Sequence, residues 1–425
     1  MNTKKTNYPG AWLGCCLATM CVFCGVLFGR LFLTPQASHV CLIPNGSSFS
    51  KAHQLVKCYI SNLFGWDGAW YASIAQTGYH WDPKLGGTLG HYENITFFPL
   101  GGILDKIVCL PFHGLQPLAI ILMSFSFGLV SIFCFSKLSS LLLDFHQAKL
   151  ATLAFSLWPA LSFYVMGYPT GAISVLILLS LIYYIKGEPL KSAFFCGIAT
   201  AAAPAGFFVF FGLFLDKSIK TISSKVSPRS VYCLAAFSLI GLSGLLLFMA
   251  YQLIVFKDPF AFIEGEKAWG IPPDFSTRVH ELFSIRDYLR ESIVGIHEIL
   301  NYHFQAKDNS DLSRFVFFMG IQRLIDFASF ILSIVGFLVF AKNFAKKHSP
   351  VFFVTVSVIL GYIWFFYTVQ DLSNTPRLLF PAVGIFIGFG LICSKQKISS
   401  TILLSIFAIT SIFEVALADM GFWVV

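Results

Sequence analysis

One stretch concentrates side chains able to do chemistry: Phe64-Gly65-Trp66-Asp67-Gly68-Ala69-Trp70-Tyr71-Ala72-Ser73-Ile74-Ala75-Gln76-Thr77-Gly78-Tyr79. At helical spacing Trp66, Trp70 and Tyr71 would lie along one face of an interfacial helix, where amphipathic rings settle at a membrane surface. Asp67 is embedded among those rings. A carboxylate there is costly unless it is paired or needed, and desolvation raises its pKa towards the range useful to a general base. The alternative is an N-cap, with Asp67 opening the helix that holds Trp70 and Ile74. Further along, His80, Asp82, His91 and Glu93 share a loop, but their spacing matches no compact ligand motif, so no metal is expected. They read instead as solvent-facing or substrate-binding, with His91 and Glu93 the candidates because they precede Phe97-Phe98-Pro99 directly.

Composition says what scaffold must carry these groups. Of 425 residues, 56% are hydrophobic and only 12% charged, against roughly a quarter charged in soluble domains. Several apolar runs approach the roughly 20 residues needed to cross a bilayer. The chain therefore reads as an all-α polytopic membrane protein, which excludes soluble enzymes, nucleic-acid binders and disordered scaffolds. The net charge of +8, from 29 Lys and Arg against 21 Asp and Glu, is what the cytoplasmic loops of such a protein produce. A nucleic-acid patch would need a soluble face on which to lie. Most of the 11 cysteines sit in apolar runs, including the C-x-x-C of Cys21 and Cys24, where Cys behaves as a small hydrophobe. Only Cys41 and Cys58 share a polar loop and are placed to pair.

Apolar segments run at 11–33, 97–112, 115–136, 150–166, 168–186, 191–215, 231–256, 315–341, 350–368, 376–394 and 398–418, which predicts roughly 9 to 11 membrane helices in one domain covering 1–425. The first follows Lys4 and Lys5 and reads as an uncleaved anchor, being longer than a signal h-region and without an A-x-A site. Two polar stretches, 34–96 and 257–314, are too long for turns and rich in aromatics, so they read as ordered loops. Lys217, Lys220, Lys225, Arg229, Lys342, Lys346, Lys347, Lys395 and Lys397 mark inner segments by the positive-inside rule, which turns both long loops outward. In one threading 97–112 spans and 191–215 is a single helix. In the other, 97–112 is re-entrant or interfacial and 191–215 breaks at Pro204. The second is preferred because it also brings Lys137, Lys149, Lys186 and Lys191 inside.

The pattern Trp66-Asp67-x-x-Trp70-Tyr71-x-x-Ile74-Ala75-x-x-Gly78-Tyr79, followed by Phe97-Phe98-Pro99-Leu100, resembles the opening motif of the GPI mannosyltransferase 2 (PIG-V) family and its bacterial relatives. Asp258-Pro259-Phe260-Ala261-Phe262 with Trp269, and Pro376-Arg377-Leu378-Leu379-Phe380-Pro381, continue the likeness in the family's order over nearly the whole chain. The resemblance implies a GT-C glycosyltransferase taking mannose from a polyprenyl or dolichyl phosphate on the non-cytoplasmic side. Three positions depart from the family. Tyr168-Pro169-Thr170 stands for Tyr-Ser-Glu, Ala202-Ala203-Pro204-Ala205-Gly206 stands where an Arg usually precedes the Gly of the later hairpin, and Gly101-Gly102 stands for Tyr-Pro. Losing one acid and one base reads as a coupled exchange, altered acceptor specificity or lost activity.

Under this resemblance Asp67 is the base for the acceptor hydroxyl and Arg377 the partner of the leaving phosphate, since a planar guanidinium suits bidentate phosphate binding. Snorkelling to the interface is the alternative for Arg377. Trp66, Trp70, Tyr71, Tyr168, His91 and Glu93 complete the expected site. No cofactor is implied beyond the lipid-phosphate mannose co-substrate. Partners are that donor, a glycolipid or glycan acceptor and membrane lipids. Chain compactness favours a bacterial inner membrane, and the ER membrane applies if the source is eukaryotic. Arg278, Arg286, Arg290 and Arg314 meet either solvent or an anionic head group. The 48 phenylalanines serve packing or a groove for a polyisoprenoid tail. Gly241-Leu242-Ser243-Gly244 fits an intramembrane serine protease pattern but has no histidine on a neighbouring membrane helix. A transporter or flippase, the non-enzyme alternative, predicts paired charges within the bilayer.

Overall fold

Where this chain stops being helical is set mostly by proline. The computed structural model describes residues 8–33, 63, 67–111, 116–224, 226–269, 293–297, 299–300, 311–345, 349–364 and 374–421. Cys41, Cys58, Trp66, Arg278, Arg286 and Arg290, and the side chain of Arg314, lie outside the described residues. The helices are α1 (Ala11–Phe32), α2 (Asp67–Thr77), α3 (Pro99–Cys109), α4 (Gln116–Leu142), α5 (Phe145–Ser156), α6 (Thr170–Ile185), α7 (Pro189–Thr200) and α8 (Pro204–Ser223). They continue with α9 (Pro228–Gly241), α10 (Ser243–Phe256), α11 (Ala261–Glu266), α12 (Asp311–Phe344), α13 (Pro350–Tyr362), α14 (Thr375–Leu378), α15 (Gly384–Cys393) and α16 (Lys397–Asp419). Among the described residues there is no strand.

The chain is an all-α integral membrane protein. Residues of α1, α4, α12 and α16 form four helices long and apolar enough to cross a bilayer, and α9 with α10, bent by 56°, form a fifth candidate. The remaining apolar segments are shorter pieces: α6, α13 and α15 have 10–17 residues each. The run 150–166 is not one helix. Trp158 precedes Pro159 and is extended at φ −63° and ψ 144°, because a residue before proline is pushed out of the helical region. The chain continues as a 3-10 helix, Pro159–Tyr164. The run 191–215 also breaks, with α7 ending at Thr200 and α8 starting at Pro204. At 11 residues, α3 is about 16 Å long, half a hydrocarbon core.

The core lies where α5, the 3-10 helix, α15 and α16 meet. Phe155 stacks on Phe380 at 4.4 Å between ring centroids, while Trp158 meets Phe386 edge-on at 5.4 Å and Phe407 at 5.1 Å. Gly25 of α1 lies against the Ile412 carbonyl and Val415 of α16, and Gly388 of α15 against Gly336 of α12. Both are close helix crossings that a side chain would push apart. Arg30 near the end of α1 donates to both carboxylate oxygens of Asp419, at 2.8 and 2.9 Å, tying the first helix to the last. Ser243 donates to the Ile240 carbonyl at 2.8 Å, so the Gly241–Gly244 pattern marks the bend between α9 and α10.

Candidate active site

Three separate pieces of chain bring the site together. The first is α2, which begins at Asp67, where the positive end of the helix favours a carboxylate. The second is the turn Val165–Pro169, entered from the 3-10 helix, with Gly167 at φ +70°. Gly68 of α2 rests on this turn, and a side chain there would meet the Met166 carbonyl at 3.0 Å. The third is α14, four residues long and started by Asn374 at φ 64°. Its position is held from below: Trp158 Nε1 donates to the Pro376 carbonyl at 2.8 Å, and the Tyr362 and Thr375 hydroxyls lie 2.7 Å apart.

These pieces place Arg377 Nη1 3.0 Å from Asp67 Oδ2, the two side chains being 20% and 21% exposed. The guanidinium carbon lies 4.6 Å from the Tyr168 ring centroid and 5.1 Å from that of Phe163. Arg377 is thus boxed by two aromatic rings and a carboxylate, an arrangement in which cation–π and charge-assisted hydrogen bonding add. Tyr168 has a second job: its hydroxyl accepts from the Asp67 backbone N–H at 3.1 Å. Burial and the Asp67 charge push the Tyr168 hydroxyl well above its ordinary pKa, so it stays a neutral phenol. Burial alone would lower the Arg377 pKa, but Asp67 and the neighbouring tyrosines outweigh it and raise it. Arg377 is therefore a permanent cation.

Tyr71, 6% exposed, lies against Phe97 edge-on at 5.4 Å, and Trp70 stacks on the same ring at 5.9 Å. Burial, then the charge of Asp67, raises the Tyr71 pKa as well. Gly101 of α3 faces the Tyr71 ring, and any Cβ there would collide with it. The Tyr71 ring therefore fills the space that a larger residue at 101 would need.

His91 and Glu93 do not join this cluster by any direct bond. Glu93 Oε1 accepts from the Asp82 N–H at 2.9 Å and lies 3.7 Å from His91 Nε2, so both serve the fold of the loop. Asn94, 2% exposed, uses its amide to donate to Ser73 Oγ at 2.7 Å and the Gly78 carbonyl at 3.0 Å. It is a structural residue. Among the described residues no group of three His, Cys, Asp or Glu side chains is gathered as a metal would need.

Sequence reasoning missed Phe163, Asp105 and Glu266. Asp105 of α3 is 2% exposed, with Oδ2 unpartnered, and burial pushes its carboxyl up to about 7. Glu266, at the end of α11, is half-buried, and burial followed by the Asp67 charge pushes it to about 7. Glu266 stands three residues before Trp269, in a segment already flagged by Asp258-Pro259-Phe260-Ala261-Phe262. An acid there was the available signal.

No protein-family model matches this sequence, and no curated protein does. In structure the chain is similar to an oligosaccharyltransferase of Archaeoglobus fulgidus solved in several states. Against the complex with Zn and sulfate the TM-score is 0.49 at 13% identity, covering 96% of this chain and 53% of that one. Against the apo form it is 0.48 at 12% identity, covering 97% and 56%. With the form tethered to an acceptor peptide containing the NVT sequon it is 0.41 at 13% identity, covering 97% and 55%. The chain spans about half the length of these structures.

Proposed function

We propose that this protein is a GT-C type glycosyltransferase that moves a mannosyl residue from a polyprenyl- or dolichyl-phosphate to a glycolipid or cell-envelope glycan. The observation that carries this reading is the Asp67–Arg377 pair: a carboxylate and a guanidinium in contact, both partly open to solvent, on α2 and α14. In the resting site each neutralises the other. When a donor phosphate arrives, Arg377 turns part of its fork to the phosphate oxygens, and Asp67 is released to accept the proton of the acceptor hydroxyl. The acceptor oxygen attacks the anomeric carbon, and the bond to the phosphate oxygen breaks. Polyprenyl phosphate leaves with the electron pair, its charge facing Arg377. A phosphate leaving group needs no general acid, so one carboxylate suffices, and attack from the opposite face converts a β-linked donor into an α-mannoside.

The PIG-V-like motif order supports mannose as the sugar and the non-cytoplasmic face as the side of reaction. The membrane in this reading is a bacterial inner membrane, or the ER membrane in a eukaryote. The test uses purified protein in liposomes with polyprenyl-phosphate [3H]mannose and a panel of alkyl glycosides and glycolipids. Label is expected in an acceptor, with EDTA present and no nucleotide sugar. Metal-dependent transfer from a nucleotide sugar instead would overturn the proposal.

One observation favours the transporter or flippase reading: Asp326 of α12 and Glu414 of α16 are 3% and 1% exposed within apolar helices, where acids often mark a transport path. Lipid scrambling or solute uptake by the same liposomes, unaffected by Asp67→Asn, would decide for that reading.

A further inference from the structure

The far end of α6 carries a different set of groups from the candidate active site. This helix starts at Thr170, just after Tyr168, and its 16 residues put its last turn about 24 Å further along the axis. Lys186 caps that end, Gly187 turns the chain at φ +79°, and α7 begins at Pro189. Four lysines gather on the rings around this turn. Lys186 and Lys191 Nζ lie 5.6 and 5.5 Å from the centroid of the Tyr183 ring, which stacks on Phe195 at 5.4 Å. On the neighbouring residue, Lys220 Nζ of α8 lies 5.4 Å from the Tyr184 ring. Lys217 Nζ lies 5.6 Å from Phe237, which meets Tyr184 edge-on at 6.0 Å.

Two of these four charges are balanced within the fold. Glu188 Oε2 pairs with Lys191 Nζ at 2.5 Å. Asp216 Oδ2, on a side chain 1% exposed, accepts from Lys220 Nζ at 2.7 Å and from the Tyr184 hydroxyl at 2.6 Å. Among the described residues no carboxylate pairs with Lys186 or Lys217. The carbonyl end of α6 attracts these two cations without neutralising them. Beside them, Leu190 and Phe194 of α7 are each 55% exposed, which gives the patch an apolar flank.

Lysines that only mark topology extend flexible stems towards water. Here the ammonium groups rest over rings, where a cation is held in place, and the buried Asp216 fixes the one at Lys220. We propose that this turn, with the start of α7 and the end of α8 around it, binds the head group of an acidic phospholipid in the inner leaflet. The lipid phosphate meets the Lys186 and Lys217 ammonium groups, which the fold leaves without a carboxylate, and an acyl chain runs along Leu190 and Phe194. Charge selects the head group. The apolar flank selects a lipid over a free phosphate. The site lies at the opposite end of α6 from Asp67 and Arg377 and does not depend on the sugar or the acceptor.

The test is native mass spectrometry of the whole protein in detergent, titrated with phosphatidylglycerol, with phosphatidylcholine of the same acyl chains, or with inorganic phosphate. Wild type is expected to hold phosphatidylglycerol roughly 25-fold more tightly than phosphatidylcholine, about 5-fold for each uncompensated ammonium. Lys186→Gln with Lys217→Gln should abolish that preference. Lys395→Gln with Lys397→Gln removes the same charge from exposed positions at the start of α16 and should leave it intact. Inorganic phosphate should not displace the lipid. Equal affinity for the two lipids in wild type overturns the inference whether or not either variant folds. Equal losses in both double variants, or displacement by inorganic phosphate, also overturn it, and none of these results bears on the transferase reading.

Discussion

At the scale of single residues, the Asp67–Arg377 contact makes the two side chains interdependent. Asp67→Asn removes the proposed base and leaves a boxed cation, so kcat should fall by about 10²- to 10⁴-fold. Arg377→Gln should chiefly raise donor KM. A double variant should lose much less stability than the two single losses added together, because each single change leaves the other charge half-buried and unpaired. Thermal melting of the four proteins reads this directly, and strict additivity would show that the pair is not coupled. Asp105 supplies a second expectation. Its carboxyl ordinarily titrates at 3.8 and here at about 7. The folded protein therefore holds a proton that the unfolded chain has lost between these values, and stability falls as pH rises through that window. Asp105→Asn should leave the melting temperature at pH 4 nearly unchanged and raise it at pH 8, by a free energy of on the order of 4 kcal/mol at most. Equal shifts at both pH values would contradict the assignment.

At the scale of elements, the site depends on two short pieces that propensity alone would not have found. The 3-10 helix Pro159–Tyr164 and the four-residue α14 are joined by the bond from Trp158 Nε1 to the Pro376 carbonyl. Trp158→Phe keeps most of the ring packing and deletes that bond. It should cost about 1 to 2 kcal/mol of stability and lower transfer more than melting, since Arg377 sits on the next residue. A variant with normal kcat would mean that α14 is held by its other contacts. Gly101→Ala should drive Tyr71 from its place between α2 and α3 and destabilise by about 1 to 3 kcal/mol. Asp67 was legible as a carboxylate among aromatic rings, and Arg377 through the likeness of Pro376-Arg377-Leu378-Leu379-Phe380-Pro381 to a family motif. Their contact was not legible, being 310 positions apart in sequence. Nor was the break at Trp158, since hydropathy sums over 150–166 pass across the proline that ends the helix. Glu266 escaped because nothing in the composition of a polar loop says which of its acids the fold will half-bury.

At the scale of the molecule, apolar composition was enough to read an all-α membrane protein, but not the way the apolar length is cut. Runs that looked like spans are divided into helices of 10 to 16 residues such as α6, α7, α13 and α15, so the described residues hold four helices long and apolar enough to span and one bent candidate. Hydropathy counts apolar residues, whereas prolines 159, 169, 189 and 204 place the ends. The proposed orientation has a direct check. His80, exposed in the loop after α2, should as His80→Cys react in intact cells with a membrane-impermeant maleimide, above the wild-type background. Lys217→Cys on α8 should react only after permeabilisation. The reverse pattern would place the candidate site on the cytoplasmic side.

The 310-residue separation of Asp67 and Arg377 also has a consequence for biogenesis. At roughly 5 to 20 residues per second, a ribosome that has just made α2 needs about 15 to 60 s to reach α14. Throughout that interval the Asp67 carboxylate lacks the Arg377 guanidinium that pairs with it in the finished fold, and the nascent chain holds that charge among rings without its native partner. Chains stopped before α14 would keep that mark of incompleteness, a feature by which a quality-control protease could tell a truncated copy from a finished one.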